Sequence, residues 1–185
     1  MLTGSDEALA KRRMAWFDEN RRHSLVNVLT GDDPTFEGGV GNWTVNANCT
    51  ITSDATWAHS GTKSLKLTPT ALDPSAHIAN TTNALPVVGG ATYRLGAWAT
   101  AKGGTSRNIS LNVASFSAAH GFLGSGGSNT AGTMNVTEGV WTQAHVDVVV
   151  NATAAWAEIV LESSNMVSGG TEAAWFDDIT FTKIA

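Results

Sequence analysis

The sequence predicts an all-β protein, a β-sandwich of the jelly-roll kind with about eight or nine antiparallel strands, preceded by a short N-terminal α-helix. Three observations carry that expectation. From Thr35 onward no helical period persists, and short runs rich in Val, Ile, Thr and aromatic residues take over. Clusters of Gly, Asn, Asp, Ser and Pro punctuate those runs, as turns between strands require. A chain of 185 residues is long enough for one such domain plus an appendage, 1–26 before a body at 27–185, and can bury a core without crosslinks.

The helix is expected over 5–22. Ser5 can cap it, Asp6 and Glu7 suit its positive end, and Arg21 and Arg22 suit its last turn. Leu9, Met14, Trp16 and Phe17 give it a partly apolar stripe, so it needs a docking surface on its own body or on another subunit. The strand runs follow as WTVNANCTIT (43–52), KSLKLTP (63–69), AHIANTT (76–82), TYRLGAWAT (92–100), RNISLNVASF (107–116), WTQAHVDVVV (141–150), AEIVLES (157–163) and AAWFDDITFTKI (173–184). The glycine-rich stretch 118–133 is expected to be a loop.

Alternation assigns faces. Tyr93, Leu95, Ala97 and Ala99 should point inward and Arg94 and Trp98 outward; Ile109, Leu111 and Val113 inward and Ser110 and Asn112 outward. Ala157, Ile159 and Leu161 should line the core, with Trp156, Glu158 and Glu162 outside. In the last strand Trp175, Ile179 and Phe181 read as one apolar side, with Asp177 among them.

Composition narrows the function. The net charge is −5 with 15% charged residues, and Lys11, Arg12, Arg13, Arg21 and Arg22 hold five of the eleven basic side chains, so no nucleic-acid partner is expected. No apolar run is long enough for a membrane span, and 1–22 shows neither the apolar core nor the cleavage site of a secretory signal. The single cysteine, Cys49, reads as a small buried hydrophobe. Catalysis is not expected: the five histidines lack metal-ligand spacing, and the adjacent acids Asp32-Asp33 and Asp177-Asp178 cannot straddle a glycosidic bond.

Glu37 and Asp177 raise a separate question, because a carboxylate at a core edge is costly unless it is paired or holds a cation. Terminal strands of a sandwich are often neighbours, so the two acids with turn carbonyls could cage calcium. Alternatively Glu37 accepts backbone N–H bonds and Asp177 faces water.

The motifs NVLTGDDPTFEGGVGNW (27–43), WAHSGTKSLKL (57–67), TYRLGAWA (92–99), VWTQ (140–143) and WFDDITF (175–181), in that order, resemble carbohydrate-binding modules of families four, nine and twenty-two, over about 27–184. The resemblance implies a jelly roll and a structural calcium held by Glu37, by Asp177 or Asp178, and by the carbonyls of Thr35 and Lys63. It also implies a glycan site in which an aromatic face meets a sugar ring. Trp98 is the expected centre, flanked by Arg94 and Asn112, with Trp57 and Trp156 as further candidates. Two settings follow: a virion surface protein of a phage, whether capsid decoration or minor tail, attached to other subunits through 5–22; or a glycan-binding module of a secreted polysaccharide-degrading enzyme.

Overall fold

The computed structural model describes residues 26–70, 77–81, 85–103, 107–126, 134–164, 166 and 171–185. The helix expected over 5–22 lies outside them. Within them the regular structure is strand: β1 Trp43–Ala47, β2 Cys49–Asp54, β3 Ser64–Pro69, β4 His77–Thr81, β5 Leu85–Pro86, β6 Thr92–Lys102, β7 Arg107–Phe116, β8 Phe122–Gly126, β9 Met134–Val136, β10 Thr142–Val149, β11 Trp156–Ser163 and β12 Ala173–Lys183. They form two sheets, β1-β4-β11-β7-β8 with β5 beside β11 and β9 beside β7, and β10-β6-β12-β3-β2. The ladders between these strands are antiparallel, and strands distant in sequence lie side by side, as in a jelly roll.

The inner faces pack by the predicted alternation in the long strands. Leu95, Ala97 and Ala99 of β6 meet Ile109, Leu111 and Val113 of β7 and Ala157, Ile159 and Leu161 of β11 in one apolar core. Tyr93 stacks on Phe181 at 4.8 Å, and its hydroxyl accepts the Val88 N–H at 2.9 Å, so its polar end is satisfied. Cys49 is buried, as its small apolar character implied.

Three local features depart from a simple strand count. The run 43–52 is two strands, because Asn48 takes a left-handed backbone (φ 56°) and sends β1 to the larger sheet and β2 to the smaller. Part of the expected loop 118–133 is the strand β8. In β12 one extra residue enters the ladder with β6 between Asp177 and Thr180, where Asp178 has φ 48°. This bulge switches the face. Phe176 joins the core in place of Trp175, whereas Ile179 and Phe181 point inward beyond the bulge. The single apolar side expected for Trp175, Ile179 and Phe181 is therefore corrected: Trp175 and Asp177 stand on the outer side with their neighbours Thr100 and Trp98.

The segment before β1 closes one end of the sandwich. Asn27 accepts the Phe181 N–H at 2.8 Å and donates to the Ile179 carbonyl at 3.0 Å, pinning this segment to β12. Phe36 is fully buried, 6.2 Å from Trp43, whose indole donates to the Asp33 carbonyl. The Asp33 carboxylate accepts both the main-chain and side-chain N–H of Asn42, and a Cβ on Gly41 would lie 2.2 Å from it, so only glycine fits there.

Candidate functional site

The outward side chains of the two sheets make two unlike faces. On the five-stranded sheet, residues 55–63 cross the outer side as a strap. Trp57 covers Trp175 at 4.5 Å, and the Lys66 ammonium lies 5.3 Å from the centroid of the same ring. The Trp175 indole donates to Asp54 at 3.1 Å, so this tryptophan is only 1% exposed although it points away from the core. His59 stacks on Trp98 at 3.9 Å with 14° between the planes, and meets Trp141 edge-on at 5.7 Å. Farther along β6, Arg94 forms a bidentate pair with Asp147, both bonds at 2.7 Å.

Three carboxylates hold the strap down. Asp177 accepts the N–H groups of His59 (2.8 Å), Ser60 (3.1 Å) and Asp178 (2.8 Å). Its side chain is fully buried; burial raises its pKa, with the three N–H groups opposing and the charge of Asp178 adding. Asp178 receives the Ser60 hydroxyl and contacts His59 Nδ1, each at 2.6 Å. At the other end of the strap Glu37 accepts the Thr62 hydroxyl (2.6 Å) and the N–H groups of Thr62 (2.8 Å) and Lys63 (3.0 Å), which together lower its pKa. Gly61 turns here with φ 61°, and a Cβ on it would fall 2.3 Å from the Glu37 carboxylate.

Of the calcium ligands expected from the sequence, Glu37 holds one end of this strap and Asp177 and Asp178 hold the other. Their chemistry, two carboxylates with the carbonyls of Thr35 and Lys63, suits a hard cation. The carboxylates already accept N–H and O–H donors, and Lys63 Nζ donates to the Glu37 carbonyl at 3.0 Å. A bound cation would have to share these oxygens with them. Among the described residues no three His, Cys, Asp or Glu side chains stand together as a metal cluster.

The seven-stranded sheet presents the second face. Across the β7–β11 ladder Phe116 pairs with Trp156, Ala114 with Glu158, Asn112 with Val160, and Ser110 with Glu162. These outward residues, Ala114 apart, are half-buried. Burial pushes the Glu162 carboxyl up from its ordinary value. His120, from the turn joining β7 to β8, stacks on Trp156 at 5.2 Å, and the exposed Phe122 meets Phe116 edge-on at 5.7 Å.

The sequence-derived site is therefore divided. Trp98, Arg94 and Trp57 lie on the strapped face, whereas Asn112 and Trp156 lie on the opposite side of the molecule. Trp98 and Asn112, expected as partners, belong to different sheets: β6 pairs with β10 and β12, and β7 with β8, β9 and β11. The second face adds Phe116, His120 and Phe122 as side chains that sequence reasoning did not select. Strand parity places Phe116 on the side of Asn112, whereas no local pattern marks His120, which stands in a turn within the glycine-rich stretch 118–133.

A family model described as Carbohydrate binding domain, for module families four and nine, matches residues 32–168. Among solved structures the chain is similar to the C-terminal family 22 carbohydrate binding module of Clostridium thermocellum Xyn10B, at 18% identity and TM-score 0.61, over 81% of this chain and 91% of that one. It is similar to the CBM22-1 xylan-binding domain of Paenibacillus barcinonensis Xyn10C, at 15% identity and TM-score 0.62, over 86% and 95%. It also resembles the enzymatically active domain of bacteriophage CBA120 tailspike protein 4, at 16% identity and TM-score 0.61, over 86% of this chain but 22% of that one. At these identities the likeness is one of fold. Among curated proteins none matches.

Proposed function

The chain belongs to the carbohydrate-binding-domain family, and we propose on that premise that it is a non-catalytic glycan binder whose site is the outer face of the seven-stranded sheet. The observation that carries this choice is the shared half-buried face of Trp156, Asn112, Glu158 and Glu162, set against the carboxylate-held strap that fixes His59 over Trp98 and the bidentate pair that occupies Arg94 on the other side. Trp156 offers an aromatic surface for the apolar side of a pyranose ring, and the amide and carboxylates offer partners for its hydroxyls. Glu158 and Glu162 are four residues apart on one strand, about 13 Å along it. That exceeds the roughly 5–10 Å that glycosidic cleavage requires between two carboxyl groups.

The xylan-binding neighbours make xylan the first glycan to try. Electrophoresis in gels containing xylan or another soluble polysaccharide should retard the wild type, and Trp156→Ala should run free with its fold intact. A wild type that is retarded by no polysaccharide would overturn the proposal.

For the setting we favour a virion surface, whether capsid decoration or minor tail, attached through 1–26. The likeness to a phage tailspike domain supports it. Deleting 1–26 should leave a folded body that no longer enters particles, which electron microscopy of purified particles would reveal. The alternative, a module of a secreted polysaccharide-degrading enzyme, is supported by the modules of xylanases; an in-frame hydrolase domain would establish it. In either setting calcium bound by Glu37, Asp177 and the Thr35 and Lys63 carbonyls, with Asp178 as the alternative acid, would brace the strap.

A further inference from the structure

Trp156 keeps one polar atom out of use. Its indole Nε1 is buried and has no hydrogen-bond partner, although buried donors in folded proteins are almost always paired. Leaving one unpaired opposes folding. A ligand that supplies the missing acceptor removes that cost on binding.

The ring face beside this atom is covered as well. The His120 imidazole lies nearly parallel to the indole, at 5.2 Å and 14°, where a sugar ring would otherwise stack. His120 is held in a tight turn: its N–H donates to the Ser117 carbonyl at 2.9 Å, Ser117 N–H donates to Gly121 O at 2.8 Å, and Gly121 N–H donates to Ser117 Oγ at 3.1 Å. Its own backbone is left-handed, φ 60°. The main chain of the turn is thus fixed by its own bonds, while the exposed imidazole is free to change rotamer on the fast timescale of surface side chains.

We propose that the Trp156 indole N–H is the donor for a hydroxyl or ring oxygen of the bound sugar, and that His120 is the side chain that swings aside to admit that sugar. This rests on the glycan-binding reading of the same face. The covered form does not bind, so the apparent affinity is reduced by the fraction of molecules in which His120 lies on Trp156. Removing the imidazole should strengthen binding; removing only the indole N–H should weaken it.

The test compares wild type, His120→Ala and Trp156→Phe by retardation in gels containing xylan or β-glucan. Acrylamide quenching of tryptophan fluorescence without glycan is measured in parallel. His120→Ala should bind about threefold to tenfold tighter than wild type. Trp156→Phe, which keeps an aromatic face and removes the unpaired donor, should bind roughly tenfold more weakly with no loss of melting temperature. In the quenching arm, the emission lost in Trp156→Phe is the Trp156 signal, and His120→Ala should make that signal more accessible. Weaker binding by His120→Ala would make His120 a ligand contact and overturn its role as a cover. Unchanged binding by Trp156→Phe would overturn the role of the N–H while leaving the glycan site in place. A wild type retarded by neither polysaccharide would bring down the site and this inference together.

Discussion

Glu37 and Asp177 hold opposite ends of one strap: Asp177 takes the N–H groups of His59 and Ser60, and Glu37 those of Thr62 and Lys63. The two acids come from the two ends of the body, so the strap between them fastens the beginning of the fold to its last strand. Asp177→Ala would leave three N–H groups without an acceptor in a buried place. We expect a loss of roughly 3 kcal/mol, or a melting temperature lower by about 6–12 °C. Glu37→Ala, at the surface, should cost less, because water can replace the carboxylate. Equal losses in thermal melts would contradict this ranking.

Calcium should add to the same fastening. Protein stripped with chelator should melt lower than protein returned to excess calcium, by about 3 kcal/mol of stability at a concentration a hundredfold above the dissociation constant. Glu37→Gln should reduce that difference. Equal midpoints, in protein shown to be metal-free before the addition, would mean that hydrogen bonds alone secure the strap.

Asp54 should make stability depend on acid. Its partial burial would raise its pKa, but hydrogen bonds from Thr56 and the Trp175 indole, with the charge of Lys66, outweigh burial and bring it to about 2 from 3.8. A carboxyl whose folded pKa is depressed stabilises the fold above its unfolded value and loses that contribution as pH falls through the folded value. Between pH 5 and pH 2 the wild type should therefore lose about 1–2 kcal/mol more than Asp54→Asn. Parallel pH profiles of unfolding free energy for the two proteins would refute it.

Trp98 should prove structural. Its ring is stacked on His59 beneath the strap, so Trp98→Ala should cost roughly 2–3 kcal/mol and leave retardation by glycan unchanged. A stable Trp98→Ala that no longer binds glycan would move the site to the five-stranded sheet.

Much of the fold was legible because β-strands write it locally. Period-two alternation in 92–100, 107–116 and 157–163 correctly gave the inward residues, and it put Trp156, Glu158, Glu162 and Asn112 outside. The same rule failed at Trp175, since a single extra residue at Asp178 inverts every side chain after it. It also missed the division at Asn48, where one residue with positive φ turns an apparent strand into two strands of different sheets.

Outside the bulge in β12, the sequence by itself determined which side chains face out, because the pleat imposes that within each regular strand. It could not determine which sheet a strand joins, since pairing is made between segments far apart in the chain, as β7 with β11 and β6 with β12. Only the tertiary structure therefore separated Trp98 from Asn112, brought Asn112 to the face of Trp156, and laid His59 over one tryptophan and His120 over another. Outwardness is a property of a strand, but exposure is a property of what crosses above it, and no local period records that.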